Sequence, residues 1–409
     1  MNSIGIVGAG VAGLHLGLRL QAEGVSTTLY AEQEPDALRA GRLPSLVARF
    51  SPMRERERAL GIRSWDYPDF GMSGIQLYVG GGPVISWKGS FRQPASGVDM
   101  RIYYATLLEA FASRGGEVIC GALQPSDVAR LAAGHDLMVV SSGRSGLSEM
   151  FPRDAERSPY SSPQRWLVGA FYRGVRLPEA LRVVYAASPG NGEIFHSPFS
   201  TFGERRVSCI LIEGTFGGAF EPLRTLRHRD DPAAFESTVM SIVRQHAPPI
   251  YECIEPREFG VTRPLDIVTG AITPTARRGY ASLGDGKFAL ALGDAHVSTD
   301  PLLAQGANNA ARQAAHLAEL LLGDPRPDEL FCRRAEAALW ETSRAGTEWT
   351  NAMLGPPPPH AIELFLAASQ NAAVADALSD NFGWPEKNWE AFRSPEGAAA
   401  FLARHGMGG

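Results

Sequence analysis

The sequence predicts an α/β protein with three parts. These are a Rossmann-like dinucleotide-binding domain, an antiparallel-sheet domain lying over it, and a helical C-terminal segment. Three observations predict this. Residues 4–30 read as a strand, a glycine-rich turn, a helix and a second strand. Residues 288–322 repeat the strand-to-helix transition through Gly293-Asp294 and Gly306. Between them, residues 158–279 hold several strand-like runs and one long helical run.

The chain has 409 residues, which suits two or three domains at roughly 150 residues each. A chain of this size buries enough surface to need neither disulfides nor a structural metal. Its 39 basic and 44 acidic residues leave a net charge of −5, which argues against a general nucleic-acid binder. Cys120, Cys209, Cys253 and Cys332 are far apart, and the nine histidines show no ligand spacing, so no metal is expected. No apolar run approaches ~18 residues, and no basic stretch precedes the first strand, so a cytoplasmic protein without a membrane span is expected.

Ile4-Gly5-Ile6-Val7 is the first strand, and Gly8-Ala9-Gly10-Val11-Ala12-Gly13 follows at once. Val11, Leu14 and Leu18 then fall on one helical face, and residues 25–30 form the second strand. In this setting the glycines have assigned tasks. Gly8 allows the tight turn, Gly10 lets the backbone approach a pyrophosphate, and Gly13 permits close helix–strand packing. Val11 and Ala12 sit in the same phosphate turn. The acidic residue that would hold the adenosine ribose is Glu32, one position past the usual place, where Ala31 stands; a solvated loop carboxylate is the competing reading. His15 reads as a packed helix histidine.

Residues 136–143 read as a third parallel strand, with Ser142 and Gly143 meeting the dinucleotide. Far downstream, residues 288–292 form another apolar strand ending in Gly293-Asp294. This strand and the helix after it read as the flavin half of an FAD site. Gly293 and Asp294 would meet the ribityl chain, with Pro301 in the loop that follows. Backbone N–H groups of Gly306, Ala307 and Asn308 would face the isoalloxazine O2 side, where reduced flavin is anionic. His296 reads as a cofactor-loop or packing histidine.

With these motifs in place the chain resembles the para-hydroxybenzoate-hydroxylase-fold (GR2) flavoproteins. It is more closely similar to the styrene/indole monooxygenase family, leaning to the indole-type subgroup. The segments that carry this are GIVGAGVAGLHLGL (5–18), GRLPSLVA (41–48), FGMSGIQLYVGG (70–81), PASGVDMRIY (94–103), LDIVTGAITP (265–274), GDAHVSTDPLLAQGAN (293–308), EWTN (348–351) and DNFGWPEKNWEAF (380–392). The first and sixth are common to many flavoproteins; the second to fourth and the last are more specific. Ala304 departs from the family, which usually has glycine there.

The resemblance implies a division into a discontinuous FAD-binding domain (1–75, 97–150 and 285–328), a substrate domain (76–96 and 151–284) and a helical segment (329–409). It implies a monooxygenase that receives reduced FAD (FADH2) from a separate NAD(P)H:flavin reductase and epoxidises an aromatic-conjugated double bond, with oxygen activated at the flavin. It places Arg42 near the flavin and Arg101 at the cofactor's phosphate side; a surface salt bridge is the competing reading of each. Ser45 would lie beside the reacting centre with Arg42. Val47, Met72, Ile75 and Ala95 would bind the substrate. Ser45, Ile75 and Ala95 favour indole, Val47 is styrene-like, and Arg49 matches neither subgroup. The resemblance leaves a homodimer open. The rival readings are a single-component NAD(P)H-dependent hydroxylase, a non-oxygenating FAD reductase or cyclase, and a flavin-binding module without turnover.

Overall fold

The computed structural model describes residues 3–65, 71–143, 146–324 and 326–407; Phe70, at the head of the 70–81 segment, lies outside them. Two sheets organise the chain. The first has six strands in the order Tyr280–Gly284, Lys287–Ala291, Leu137–Val140, Ile4–Val7, Thr27–Ala31 and Glu117–Cys120. All pair in parallel except Tyr280–Gly284, which turns back on Lys287–Ala291. Ile4–Val7 and Leu137–Val140 are buried throughout, as strands covered on both faces must be. Helices Val11–Ala22, Met100–Ser113 and Gln305–Gly323 supply one cover, with Leu14, Leu18, Leu107, Phe111, Ala314 and Leu317 fully buried against the strands.

This parallel arrangement brings three strand ends to one edge. Val7 runs into Gly8, Val140 into Ser141, and Ala291 into Leu292-Gly293. In open α/β sheets, ligands bind outside the carboxyl ends of such strands.

The second sheet has nine strands. Its main path runs Gly260–Val261, Arg165–Arg173, Glu204–Thr215, Gly192–Thr201, Val183–Ser188, Gly71–Val79, Ile85–Gly97 and Ala48–Arg49, and Ile267–Ala271 also pairs with Arg165–Arg173. Pairing is antiparallel except between Gly71–Val79 and Val183–Ser188. The whole hairpin from Gly71 belongs here, so this sheet begins earlier than residue 76. Conversely Tyr280–Gly284, expected in the substrate domain, lies in the first sheet.

Alternation along these strands separates two faces. Ile194, Ile210, Ile212 and Ala170 point to a core closed by the helix Pro232–His246. Phe195, Phe199, Cys209 and Leu211 point the other way, towards the first domain. Five helices from Glu329 to Arg404 complete the chain. One of them, Ala372–Asp380, lies so close to the long hairpin that a side chain on Gly89 would meet the Ala375 carbonyl at 2.1 Å. Asp376 and Asp380 then accept the edge-strand N–H groups of Ser90 and Arg92 at 2.7 and 2.9 Å.

Candidate active site

The turn after the first strand is shaped by close contacts. Gly8 has φ of +110°, and a Cβ there would lie 2.8 Å from the Ser141 hydroxyl and 2.9 Å from the Ser142 nitrogen. A Cβ on Gly13 would lie 2.0 Å from the Gly8 carbonyl oxygen. Gly10 is different: nothing stands within 4 Å of where its Cβ would be. Packing therefore explains Gly8 and Gly13 but not Gly10. Gly10 faces open space at the start of the Val11–Ala22 helix, which has neither a side-chain cap nor an acidic residue in its first turn. An uncapped helix start with an open approach fits a pyrophosphate.

The other predicted cofactor segments converge on this turn. Gly293 has φ of +58°, and a Cβ there would lie 2.9 Å from the Ala12 methyl. Gly143 sits against Asp294, 3.2 Å from its Cβ by the same measure. Val11 and Ala12 are buried, Ser142 is half-buried, and Asp294 is exposed. Glu32 is exposed, one residue past the end of its strand.

The segment expected to form the flavin half begins with Asp300, whose carboxylate accepts the Leu302 N–H at 3.1 Å. Pro301–Leu303 form one tight turn, and Ala304 then adopts a left-handed conformation at φ 54°. The helix Gln305–Gly323 starts there without a side-chain cap. By helix geometry the N–H groups of Gly306 and Ala307 have no partner within the helix. Asn308 comes next, and its side chain is bound within the protein. The amide nitrogen donates to Ala48 and Ala304 carbonyls at 2.9 and 2.8 Å, and its oxygen accepts the Phe50 N–H at 3.1 Å. Asn308 ties the Ala48–Phe50 stretch to the start of this helix.

Arg101 has another task than the one expected. Its Nε donates to Asp99 at 3.0 Å, and Nη2 donates to Asp99 and Asp266 at 2.6 Å each. Nη1 donates to the carbonyls of Gly41 and Leu265 at 3.3 and 3.4 Å. All five donors of the guanidinium are thus taken by protein, so none is left for a phosphate. Burial works against its charge, but Asp99 and Asp266 outweigh it and raise the pKa. Arg101 and the Leu43 N–H, bonded to Leu265 at 2.9 Å, fasten the 41–43 loop to the substrate sheet. Arg42, beside them, is exposed.

Three more positions singled out in the sequence, Arg49, His15 and His296, are buried. Arg49 is buried in an ion pair with Glu57 and donates to Ser96 at 2.8 Å. Glu57 accepts the Tyr103 hydroxyl at 2.8 Å, and Tyr103 meets His15 at 2.7 Å. Burial lowers the His15 pKa to about 4, keeping it neutral. His296 is fully buried against Gln313, and burial likewise takes it to about 4. Both histidines are packing residues.

Between the 301–304 turn and the second sheet lies a cavity of about 690 Å³, the open solvent at its mouth included. Pro301, Leu302, Leu303 and Ala304 form one side. Phe195, Phe199, Cys209 and Leu211 form the sheet side, with Phe91, Tyr185 and Phe382 completing an aromatic wall. Ser197 and Tyr185 carry its only hydroxyls among the described residues. Burial holds the Cys209 thiol protonated.

Of the substrate positions expected from the sequence, Ile75 lines this cavity. Met72 and Ala95 do not. They face one another across the hairpin and are fully buried with Phe171 and Phe199, one layer behind the wall. Val47 packs on the first domain's core. Ser45 is half-buried in the loop, while its neighbour Leu46 reaches the cavity. The sheet-side wall was missed, although alternation along residues 195–199 and 207–211 could have signalled it.

The arrangement sets the uncapped helix start at Gln305 beside an apolar, aromatic cavity that the Pro301–Ala304 turn also lines. Comparisons with known proteins agree. The brominase Bmp2, in a triple-mutant form, superposes with TM-score 0.69 at 15% identity, covering 98% of this chain and 99% of that one. PqsL of Pseudomonas aeruginosa, a probable FAD-dependent monooxygenase, gives TM-score 0.63 at 16% identity over 92% and 100%. The fold is the one these flavin-dependent proteins share. A family model for the styrene monooxygenase A substrate-binding domain matches residues 143–253. Styrene monooxygenase StyA of Pseudomonas fluorescens is 35% identical over 397 residues, 96% of this chain and 95% of that protein. A StyA from a Pseudomonas species is likewise 35% identical over the same shares. The chain belongs to the styrene monooxygenase family.

Proposed function

We propose that this protein is the oxygenase component of a two-component system, taking reduced FAD from a separate flavin reductase and oxygenating the double bond of a small aromatic molecule. The observation that carries the reading is the shared turn: Pro301 to Ala304 both line the cavity and lead into the flavin-facing helix start. A ligand in the cavity is therefore held next to the isoalloxazine. FAD, when bound and reduced, supplies the chemistry by activating O2. The chain's contribution is to bind, orient and dry. Gly10 and the Val11–Ala22 helix start would hold the pyrophosphate, and Gly306 and Ala307 would direct N–H groups at the pyrimidine side. The aromatic wall excludes water and aligns a flat substrate.

Indole is favoured over styrene by the wall's chemistry. Burying the indole N–H without an acceptor would be costly, and Ser197 or Tyr185 can accept it. The indole preference no longer draws on Ala95, which lies behind the wall. The test mixes pre-reduced FAD, O2 and the pure protein with indole or styrene and identifies products by mass spectrometry. Indole should turn over faster and yield indigo. Faster styrene turnover would reverse the substrate assignment. Substrate-stimulated NADPH oxidation without any reductase would establish the single-component reading instead.

A further inference from the structure

The sheet face that forms the cavity wall ends in charge. Glu213 follows Cys209 and Leu211 along the same face of its strand and stands in register with Glu193. Asp300 comes from the opposite side, immediately before the flavin turn. Glu213 and Asp300 are each 0% exposed. Arg165 is the cation facing this group, and it is already engaged, donating to the two Glu193 oxygens at 2.9 and 3.1 Å. The remaining titratable neighbours are the phenols of Tyr185 and Tyr160. Three carboxyl groups therefore face one guanidinium that is already used.

Both Glu213 oxygens and Oδ2 of Asp300 lack a donor, while Oδ1 of Asp300 accepts only the Leu302 N–H. Two buried ionised carboxylates with one backbone donor between them would be strongly unfavourable. One proton between them removes a charge and satisfies an oxygen on each side, as in other carboxyl pairs that share a site. The two side chains are within hydrogen-bonding reach of each other. Burial first, and then the negative charge of Asp300 and Glu193, pushes Glu213 well above the usual carboxyl range. Burial pushes Asp300 up to about 6.

We propose that Glu213 and Asp300 share a proton, and that this proton latches the 300–304 turn, and with it the flavin-facing helix start, onto the substrate sheet. They are positioning residues. The pair acts through the turn, where Ala304 is held in a left-handed conformation with no glycine to relax it. Loss of the proton sets two like charges against each other and pushes the turn away from the sheet. Flavin affinity then falls as pH rises. The proposal rests on the flavin reading of the helix start, so its test includes an arm that needs no flavin.

Reduced and oxidised FAD are titrated into the full-length protein and its Glu213→Gln variant from about pH 6 to about pH 9. The wild-type affinity should fall about tenfold or more across the range, and the variant, neutral at every pH and still a donor to Asp300, should stay flat. The flavin-free arm is denaturant unfolding of both apoproteins. The folded pKa of Glu213 lies above its unfolded value of about 4.3. The stability it contributes is thus complete below that value and is lost as pH rises towards the folded pKa. The variant should gain on the wild type steadily through that window. Equal pH slopes for the two proteins in both arms would overturn the latch. No FAD binding at any pH, with diverging stability slopes, would overturn the flavin reading and keep the shared proton. Should the variant fail to fold, infrared spectroscopy of the wild type decides: a protonated-carboxyl band at neutral pH, removed by Asp300→Asn, is expected, and its absence from the wild type overturns the proposal.

Discussion

At the first helix start, Gly8, Gly10 and Gly13 shape the cofactor turn; at the second, Asp300, Ala304 and Asn308 do. The first turn obtains its geometry from missing side chains. Backbone passes within contact of backbone, and the only open side is the one at Gly10. The second turn obtains its geometry from present side chains. Asp300 caps it, Asn308 cross-links it to the 48–50 strand end, and Ala304 is held at φ 54° by its surroundings. A turn built on glycine is rigid because nothing else fits. A turn built on bonds is adjustable, because bonds can be made or broken by charge. On the proposed reading the difference would suit the two ends of FAD: the pyrophosphate keeps its charge, whereas the isoalloxazine changes charge and must admit substrate beside it.

The comparison predicts opposite outcomes for two neighbouring glycines. Gly13→Ala drives a methyl to 2.0 Å from a backbone oxygen that cannot step aside. Urea unfolding of the apoprotein should show a loss of about 3 kcal/mol, the upper part of the overpacking range. Gly10→Val places its side chain in open space, so the apoprotein should stay within about 1 kcal/mol of the wild type, as a helix-cap change does. FAD affinity should nevertheless drop roughly 100-fold, or about 2.7 kcal/mol. If the valine variant binds FAD normally, the pyrophosphate does not cross Gly10 and the first turn is structural only.

The wall of the cavity offers a smaller test. Ser197→Ala removes one of two hydroxyls from an otherwise apolar surface. If that hydroxyl accepts the indole N–H, kcat/KM for indole should fall about tenfold, in keeping with a lost neutral hydrogen bond. Styrene, with no N–H to satisfy, should change little. Equal effects on the two substrates would assign Ser197 to packing.

The contrast also explains what could be read in the sequence. The glycine-built turn was legible residue by residue, since Gly8, Gly10 and Gly13 fix their own roles once a strand precedes and a helix follows. The long helical run expected between residues 158 and 279 is the helix Pro232–His246, which Asp231 caps and Pro232 opens. The Glu117–Cys120 strand was not legible: its four residues alternate in exposure and offer no apolar run. In the bond-built turn, composition was visible but pairing was not. Nothing local shows that Arg101 spends every donor on Asp99, Asp266 and two carbonyls, or that Glu213 meets Asp300 across the chain. The cavity wall was hidden for the same reason. Resemblance pointed to Met72 and Ala95, whereas the sheet-side wall of Phe195, Ser197, Phe199, Cys209 and Leu211 comes from strands far later in the chain.

The smallest predicted effect is the most informative about the second turn. Ala304 occupies a left-handed conformation that costs an L-residue about 1–2 kcal/mol, and glycine would adopt it freely. Glycine also loses more entropy on folding, by about 0.5–1 kcal/mol, so Ala304→Gly should stabilise the apoprotein by less than about 1 kcal/mol. The functional consequence is larger in kind than in size. If side-chain bonds hold the turn against a residue that resists it, glycine makes the turn easier to keep and lessens its dependence on the Glu213–Asp300 proton. The Ala304→Gly variant should then bind FAD with a shallower fall in affinity as pH rises than the wild type, measured by the same titrations. An unchanged pH slope together with the small stability gain would show that the strain at Ala304 and the carboxyl pair act independently, and that the turn is held by Asn308 and the Asp300 cap alone.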